Sequence, residues 1–339
     1  MHKLRFGVIG TNFITDWILK GAAQDPRFEL TAVYSRSQET ASRFAETYNI
    51  TRTFTSLEEM ASCADIDAVY IASPNALHAS QSILMMQHGK HVLCEKPLAS
   101  TAEEARRMTE VARTNGVVLM EAMKTTLTPH FRTVLDHLPR IGKVRQYVAS
   151  FCQYSSRYDR YKAGELINAF NPQLSSGALL DVGIYTLYPL VVMYGKPLRI
   201  KASATLLDAG VDGAGTVILD YEGLTATLIY SKISDAYLPT EIRGEEGTLT
   251  IDRINSIQSV HFKPRKFSGS GIGPSSEAEL LSSPAAFDEH YYELKEFMDL
   301  IQNGMQESAI NSWKNSITTL EIMDEIRRQI GVTYPADRS

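Results

Sequence analysis

Four short segments carry residue types whose spacing could do chemistry. Gly10-Thr11-Asn12-Phe13-Ile14-Thr15 follows a β-branched apolar run and precedes a helical stretch. A pyrophosphate needs such a turn, because it must approach bare backbone and meet the free N–H groups and positive end of a helix. Against the spacing G-x-G-x-x-G/A, Gly10 holds the first position, Asn12 replaces the second glycine and Thr15 the third. Asn tolerates left-handed backbone better than most residues, so a surviving turn is expected, with the phosphates held somewhat further off. The second segment, Tyr34-Ser35-Arg36-Ser37, ends the next apolar run without a carboxylate. An acidic residue there selects NAD, whereas the planar fork of Arg36 suits a 2′-phosphate and stacking on adenine. NADP is therefore the expected cofactor, with NAD as the alternative.

The third segment, Glu95-Lys96-Pro97, falls at the C-terminal end of an apolar run, the edge where open α/β sheets bind ligands. An ammonium there can hold a substrate oxygen or lower the pKa of a nearby hydroxyl. In the fourth, Asp181 and Tyr185 are four residues apart, so a helix opening near Gly177 would set carboxylate and phenol on one face about one turn apart. Pro189 cannot donate to the carbonyl of Tyr185 and is expected to kink or restart that helix. Arg157 and Arg160 read as solvated, and Lys124 lies near the same sheet edge as Lys96.

These residues must be positioned by elements, and the first ~120 residues alternate β-branched runs with helical stretches, the rhythm of a parallel sheet with right-handed crossovers. Strands are expected at Leu4 to Ile9, Leu30 to Tyr34, Ala68 to Ala72, His91 to Cys94 and Val117 to Met120. Helices are expected at Ile14 to Ala23, Ala41 to Tyr48, His78 to His88 and Ala102 to Thr114. After Lys124 the rhythm changes. Val144 to Tyr154, Leu198 to Leu207, Thr216 to Tyr221, Leu224 to Ser231, Glu241 to Arg243, Thr248 to Ile251 and Ile257 to Phe262 suggest an antiparallel sheet. Glu222-Gly223 and the Gly244 to Gly247 turn read as hairpins, Ser268 to Ser276 as a mobile loop, and Phe287 to Asn303 and Ser312 to Ile330 as closing helices. Two domains follow, 1–123 and 124–339, within an α/β architecture.

Composition narrows the function classes. With 339 residues, 44% hydrophobic and 22% charged residues and a net charge of -5, the chain is globular and not suited to nucleic acid. No run approaches the ~20 apolar residues of a membrane span and no leader is legible, so a cytoplasmic place is expected. Cys63, Cys94 and Cys152 are widely spaced, which fits free thiols in a reducing compartment, and the eight histidines show no ligand spacing, so no metal is expected.

The chain resembles the glucose-fructose oxidoreductase and inositol dehydrogenase (Gfo/Idh/MocA) family over nearly its whole length. The likeness rests on Ile9-Gly10-Thr11, Ala72-Ser73-Pro74-Asn75 with His78, Glu95-Lys96-Pro97, Glu121-Ala122, and the segment from Gly177 to Tyr185. It implies an N-terminal Rossmann dinucleotide-binding domain and a C-terminal α+β domain with a large, open, mainly antiparallel sheet that commonly joins oligomer contacts, hence a homo-oligomer, dimer or tetramer. It implies further that Ser73, Pro74, Asn75 and His78 lie along the cofactor, that Glu95 and Lys96 sit near the nicotinamide, and that Pro97 can be cis.

Many relatives carry histidine where this chain has Tyr185, and tyrosine there resembles the dihydrodiol dehydrogenase branch. A phenol with an ordinary pKa near 10 is a poor base at neutral pH, so Lys96 would have to bring it down. The expected reaction is hydride transfer between NAD(P) and a small hydroxyl or carbonyl compound of sugar, polyol or dihydrodiol type. In it Tyr185 moves the proton, Lys96 is its electrostatic partner and Asp181 the orienter. Two alternatives stay open: an NAD-dependent glycosidase working by transient oxidation, and a non-catalytic NADP-binding regulator, motivated by the eroded glycine spacing.

Overall fold

The computed structural model describes residues 3–165, 167–265 and 277–338. The Gly/Ser-rich stretch Ser268 to Ser276 lies outside the described residues. The chain divides into two compact units: Met1–Lys124 with Phe287–Leu320 and Ala336–Ser339, and Thr125–Ala286 with Glu321–Pro335.

The first unit opens with β1 (Leu4–Ile9), α1 (Phe13–Ala22), β2 (Phe28–Tyr34), α2 (Gln38–Tyr48), β3 (Arg52–Phe54) and α3 (Leu57–Ser62). It continues with β4 (Ala68–Ile71), α4 (His78–Gln87), β5 (His91–Glu95), α5 (Ala102–Asn115) and β6 (Leu119–Ala122). The strands pair in parallel in the order β3-β2-β1-β4-β5-β6, so the order reverses between β1 and β4 and opens a crevice at their C-terminal ends. Every residue of β4 and β6 is buried, as a sheet covered on both faces requires. Expected strands and helices are present with ends moved by at most three residues, except β3 and α3, which the sequence reading missed. Three residues, Arg-Thr-Phe, are too few to display a period.

The second unit holds α6 (Pro129–His137), β7 (Val144–Cys152), α7 (Tyr158–Lys162), α8 (Ile184–Tyr194), β8 (Arg199–Leu206), β9 (Asp212–Tyr221) and β10 (Leu224–Ser231). It also holds β11 (Thr240–Gly244), β12 (Gly247–Ile251), β13 (Val260–Pro264) and β14 (Glu279–Leu280). They form one sheet in the order β14-β13-β12-β11-β7-β10-β9-β8. Both expected hairpins form, β9 to β10 through Glu222-Gly223 and β11 to β12 through Glu245-Glu246. The sheet is mixed and not purely antiparallel, because β10 lies parallel to β7. The long connection through α7, α8 and the β8–β9 pair gives the chain room for that crossover.

The stretch Pro172–Tyr194 is long and apolar enough to cross a membrane by length and composition, contrary to the expectation of no such run, yet 72% of its apolar window is buried. It is the core helix under the sheet, and it is not one regular helix. Leu179–Gly183 is a π-helical turn that feeds α8. Pro189 lies inside α8 without restarting it. Only one hydrogen bond is lost there, and the buried Leu187, Tyr188, Leu190 and Val191 hold the helix in place.

The expected domain cut fell after residue 123, whereas the compact division returns 287–320 to the first unit. That segment carries α9 (Glu289–Gln302) and the start of α10 (Trp313–Ile330). The reason is apolar: Phe297 on α9 is fully buried with its ring centroid 5.9 Å from that of Phe6 on β1.

Candidate active site

At the sheet's order reversal, Ala72 N–H donates to Ile9 O at 2.8 Å and ties the ends of β1 and β4 together. Gly10 follows with φ +107, where a Cβ would stand 2.6 Å from Ala72 O. Backbone conformation and space both require glycine. The turn survives without the left-handed backbone that Asn tolerates: Asn12 is extended, with φ -103, and caps α1 by accepting the Ile14 N–H at 3.2 Å. Thr15 is buried and its hydroxyl donates to Gly10 O at 2.9 Å, so the residue in the third glycine position braces the turn. Thr11 and Ile14 are half-buried and Phe13 is exposed, its ring edge-on to Trp17 at 4.9 Å. Beside the turn, Ser73 Oγ is buried with no hydrogen-bond partner among the described residues. Bare backbone at Gly10, a helix N-terminus and a buried, unpartnered hydroxyl fit a dinucleotide pyrophosphate. Pro74 and Asn75 lead into α4 through a 3-10 turn. At the end of β2, Ser35 is half-buried and Arg36 exposed, just before Ser37 caps α2.

His78 stands behind this wall. Its ring is fully buried, Nδ1 lies 2.8 Å from Pro97 O and Nε2 2.9 Å from Ser73 O. The resemblance implies that His78 lies along the cofactor; in the structure its ring stands between the Pro97 and Ser73 carbonyls and bridges the two loops. Burial lowers its pKa while the two carbonyls oppose the fall, and in the neutral form the ring donates to only one of them.

Lys96 is half-buried at the end of β5, and its peptide bond to Pro97 is cis. Three buried groups strap its loop. Glu95 accepts the Tyr70 hydroxyl at 2.7 Å and the Lys96 N–H at 3.2 Å. Glu121 accepts the Leu98 N–H at 2.9 Å. His78 reaches Pro97 O as described. Burial raises the Glu95 carboxyl while the Lys96 charge and the Tyr70 donor pull it back, and burial pushes Glu121 up to about 7. Lys124 is engaged by Glu289 in an ion pair within the same unit. Among the described residues no group of three His, Cys, Asp or Glu could hold a metal ion.

In the second unit the π turn carries Asp181 and the first turn of α8 carries Tyr185. Tyr185 is half-buried with its ring edge-on to Phe151 at 5.6 Å, whereas Tyr188 is fully buried in the core. Asp181 keeps 46% of its side chain exposed and pairs with Lys232 at 2.6 Å. Arg160 is exposed and engaged by Glu165, in line with its reading as solvated.

Residues 4–123 match the family model described as an oxidoreductase family with an NAD-binding Rossmann fold, and residues 139–250 match the GFO/IDH/MocA C-terminal domain. The chain belongs to the Gfo/Idh/MocA family. This Gfo/Idh/MocA protein is 49% identical over 336 residues to scyllo-inositol 2-dehydrogenase (NADP(+)) IolU of Bacillus subtilis, covering 99% of this chain and 100% of the relative. It is 33% identical to trans-1,2-dihydrobenzene-1,2-diol dehydrogenase of Danio rerio, over 91% of each. Among solved structures it is similar to the 3-ketoreductase KijD10 of Actinomadura kijaniata in complex with NADP and TDP-benzene. That match has a TM-score of 0.84 and 27% identity, over 98% of this chain and 99% of that one. As a Gfo/Idh/MocA enzyme the protein is an NAD(P)-dependent oxidoreductase acting on a small hydroxyl or carbonyl compound.

Several buried residues beside the candidates of this Gfo/Idh/MocA protein escaped the sequence reading: Tyr70 and Glu293 near Glu95 in the first unit, and Asp212 and Lys232 near the π turn in the second. Tyr70 hides in an apolar strand, and Glu293 lies on the buried face of an amphipathic helix, 1% exposed. Lys232 left one usable signal, a lysine directly after the apolar strand β10.

Proposed function

We propose that the protein is an NADP-linked dehydrogenase of a cyclic polyol of the inositol type. Lys96, Tyr185 and Asp181 are its catalytic residues, the first unit holds the cofactor and the second supplies the substrate groups. The observation that carries the reading is the placement, on successive turns of one segment, of the half-exposed Asp181 and the half-buried Tyr185. The similarity to scyllo-inositol 2-dehydrogenase (NADP(+)) over the whole chain supports the substrate class and the cofactor.

Gly10, Thr11, Asn12, Phe13, Ile14, Ser73, Pro74 and Asn75 would hold the dinucleotide, with Ser35 and Arg36 at the adenosine ribose and Glu95 and Lys96 toward the nicotinamide. The absence of a carboxylate beside Arg36 favours the 2′-phosphate. When bound, the nicotinamide supplies the site that accepts or gives the hydride. Lys96 holds the substrate oxygen and stabilises negative charge on it, Tyr185 exchanges the hydroxyl proton, and Asp181 accepts a second hydroxyl so that the carbinol carbon faces the cofactor. His78 serves by keeping the two loops in register.

The reading includes a cytoplasmic homo-oligomer, dimer or tetramer. Exposed apolar side chains at Leu198, Leu206 and Ile218, on and beside β8 and β9, support an interface there. The test is initial rates with scyllo-inositol and related polyols using NADP and NAD, with light scattering for the assembly. Turnover with NADP exceeding that with NAD is expected; no turnover of any inositol with either cofactor would remove the substrate class.

A further inference from the structure

Lys232 is the first residue after β10, and only 4% of it is exposed. A lysine this deep keeps its charge only if it is paired and hydrogen-bonded. Its partners are specific: Nζ lies 2.6 Å from Asp181 Oδ2, donates to Ala169 O at 3.0 Å and stands 4.9 Å from the centre of the Phe170 ring. The backbone on either side is pinned, Lys232 N–H donating to Gly213 O and Lys232 O accepting from Ser155 N–H, each at 2.8 Å. The main chain at the base of the side chain and the Ala169 carbonyl at its tip together hold the ammonium beside Asp181.

The π turn is anchored on the same side. Asp212, fully buried at the start of β9, accepts the Leu179 N–H at 2.7 Å. Gly177 comes so close, with φ +148, that a Cβ there would stand 2.3 Å from Asp212 Oδ1. Burial pushes Asp212 up to about 6, with the Leu179 N–H and the Lys232 charge opposing the rise. A wide turn costs hydrogen-bond regularity, and π turns occur frequently at functional sites. Here the turn sets Asp181 over the ammonium and starts α8 at the residue before Tyr185.

We propose that Lys232 is a positioning residue for the reaction, its buried ammonium holding the Asp181 carboxylate charged and in one direction for the substrate hydroxyl. This rests on the assignment of Asp181 under the proposed function. Nothing in it requires Lys232 to touch substrate.

The experiment is a double-mutant cycle of Lys232→Met and Asp181→Asn, assayed with scyllo-inositol and NADP across pH, with NADPH titration and thermal unfolding as checks on fold. Each single variant is expected to lower kcat/KM by about 10- to 100-fold, and the double no further than the worse single, because coupled residues do not act additively. In Lys232→Met the acid limb of the profile moves to higher pH, since a carboxylate without its cation takes up a proton more readily; a merely structural role would scale the profile without moving it. Wild-type kcat/KM in Lys232→Met beside an impaired Asp181→Asn overturns the Lys232 proposal alone. Wild-type kcat/KM in Asp181→Asn overturns the Asp181 assignment itself. If Lys232→Met does not fold, Lys232→Gln keeps a donor to Ala169 O and carries the same cycle. A crystal structure of the folded variant gives a readout without turnover: Asp181 turned from its wild-type direction is expected, and an unmoved Asp181 overturns the proposal.

Discussion

The Tyr70 hydroxyl donates to Glu95 Oε1 at 2.7 Å with both groups buried, one residue before Lys96. A buried acceptor that loses its donor costs about 1–3 kcal/mol. Tyr70→Phe is therefore expected to lower stability by about that amount in urea unfolding near neutral pH, and to reduce kcat/KM through a loosened Lys96 loop. Stability equal to wild type would show that water takes the place of the phenol.

Glu121 gives a pH signature. Burial holds it at about 7 against an ordinary 4.5, so the folded protein keeps a proton that the unfolded chain releases. The stabilisation is full below about pH 4.5 and is lost as pH rises through about 7, amounting to roughly 3 kcal/mol. Glu121→Gln, which cannot titrate, should show a smaller fall in unfolding free energy than wild type between about pH 5 and 8. Parallel curves for the two proteins would place the Glu121 carboxyl at its ordinary value.

Gly10→Ala places a Cβ 2.6 Å from Ala72 O at φ +107. The left-handed backbone alone costs roughly 1–2 kcal/mol, and relieving the clash with Ala72 O shifts the turn proposed to hold the pyrophosphate. NADPH affinity, followed by fluorescence titration, is expected to fall by at least about tenfold, as 1.4 kcal/mol implies. Unchanged affinity would move the phosphates away from this turn.

Arg36 is exposed and its removal should leave thermal stability unchanged. Charge-assisted hydrogen bonds contribute about 1.5–3 kcal/mol, so Arg36→Ala should weaken NADPH binding by roughly 10- to 100-fold and leave NADH binding nearly as it was. Equal losses for both cofactors would mean that the guanidinium stacks on adenine instead of reading the phosphate.

Tyr185→Phe removes the proposed proton carrier but keeps the ring that meets Phe151 edge-on. General acid–base catalysis contributes about 10²- to 10⁴-fold, so kcat should fall within that range while NADPH affinity and thermal stability hold. Full turnover in the variant would take Tyr185 out of the chemistry.

The sequence by itself determined the alternation of strand and helix up to Ala122 apart from β3 and α3, the hairpins at Glu222-Gly223 and Glu245-Glu246 and the turn at Gly10, and it singled out Lys96, Asp181 and Tyr185 as the residues proposed to carry the chemistry. All of these are local: periodicity, turn residues and short spacings are written along the chain and need no distant partner. Tertiary structure alone decided the parallel placement of β10 beside β7 and the return of α9 to the first unit. It also decided which polar groups stand behind the site. Tyr70 meets Glu95 across 25 residues of sequence, Leu98 meets Glu121 across 23, and Lys232, at the end of β10, meets Asp181 on the π turn. Such pairs leave no local pattern, because burial makes each of them matter and burial is a property of the packed chain.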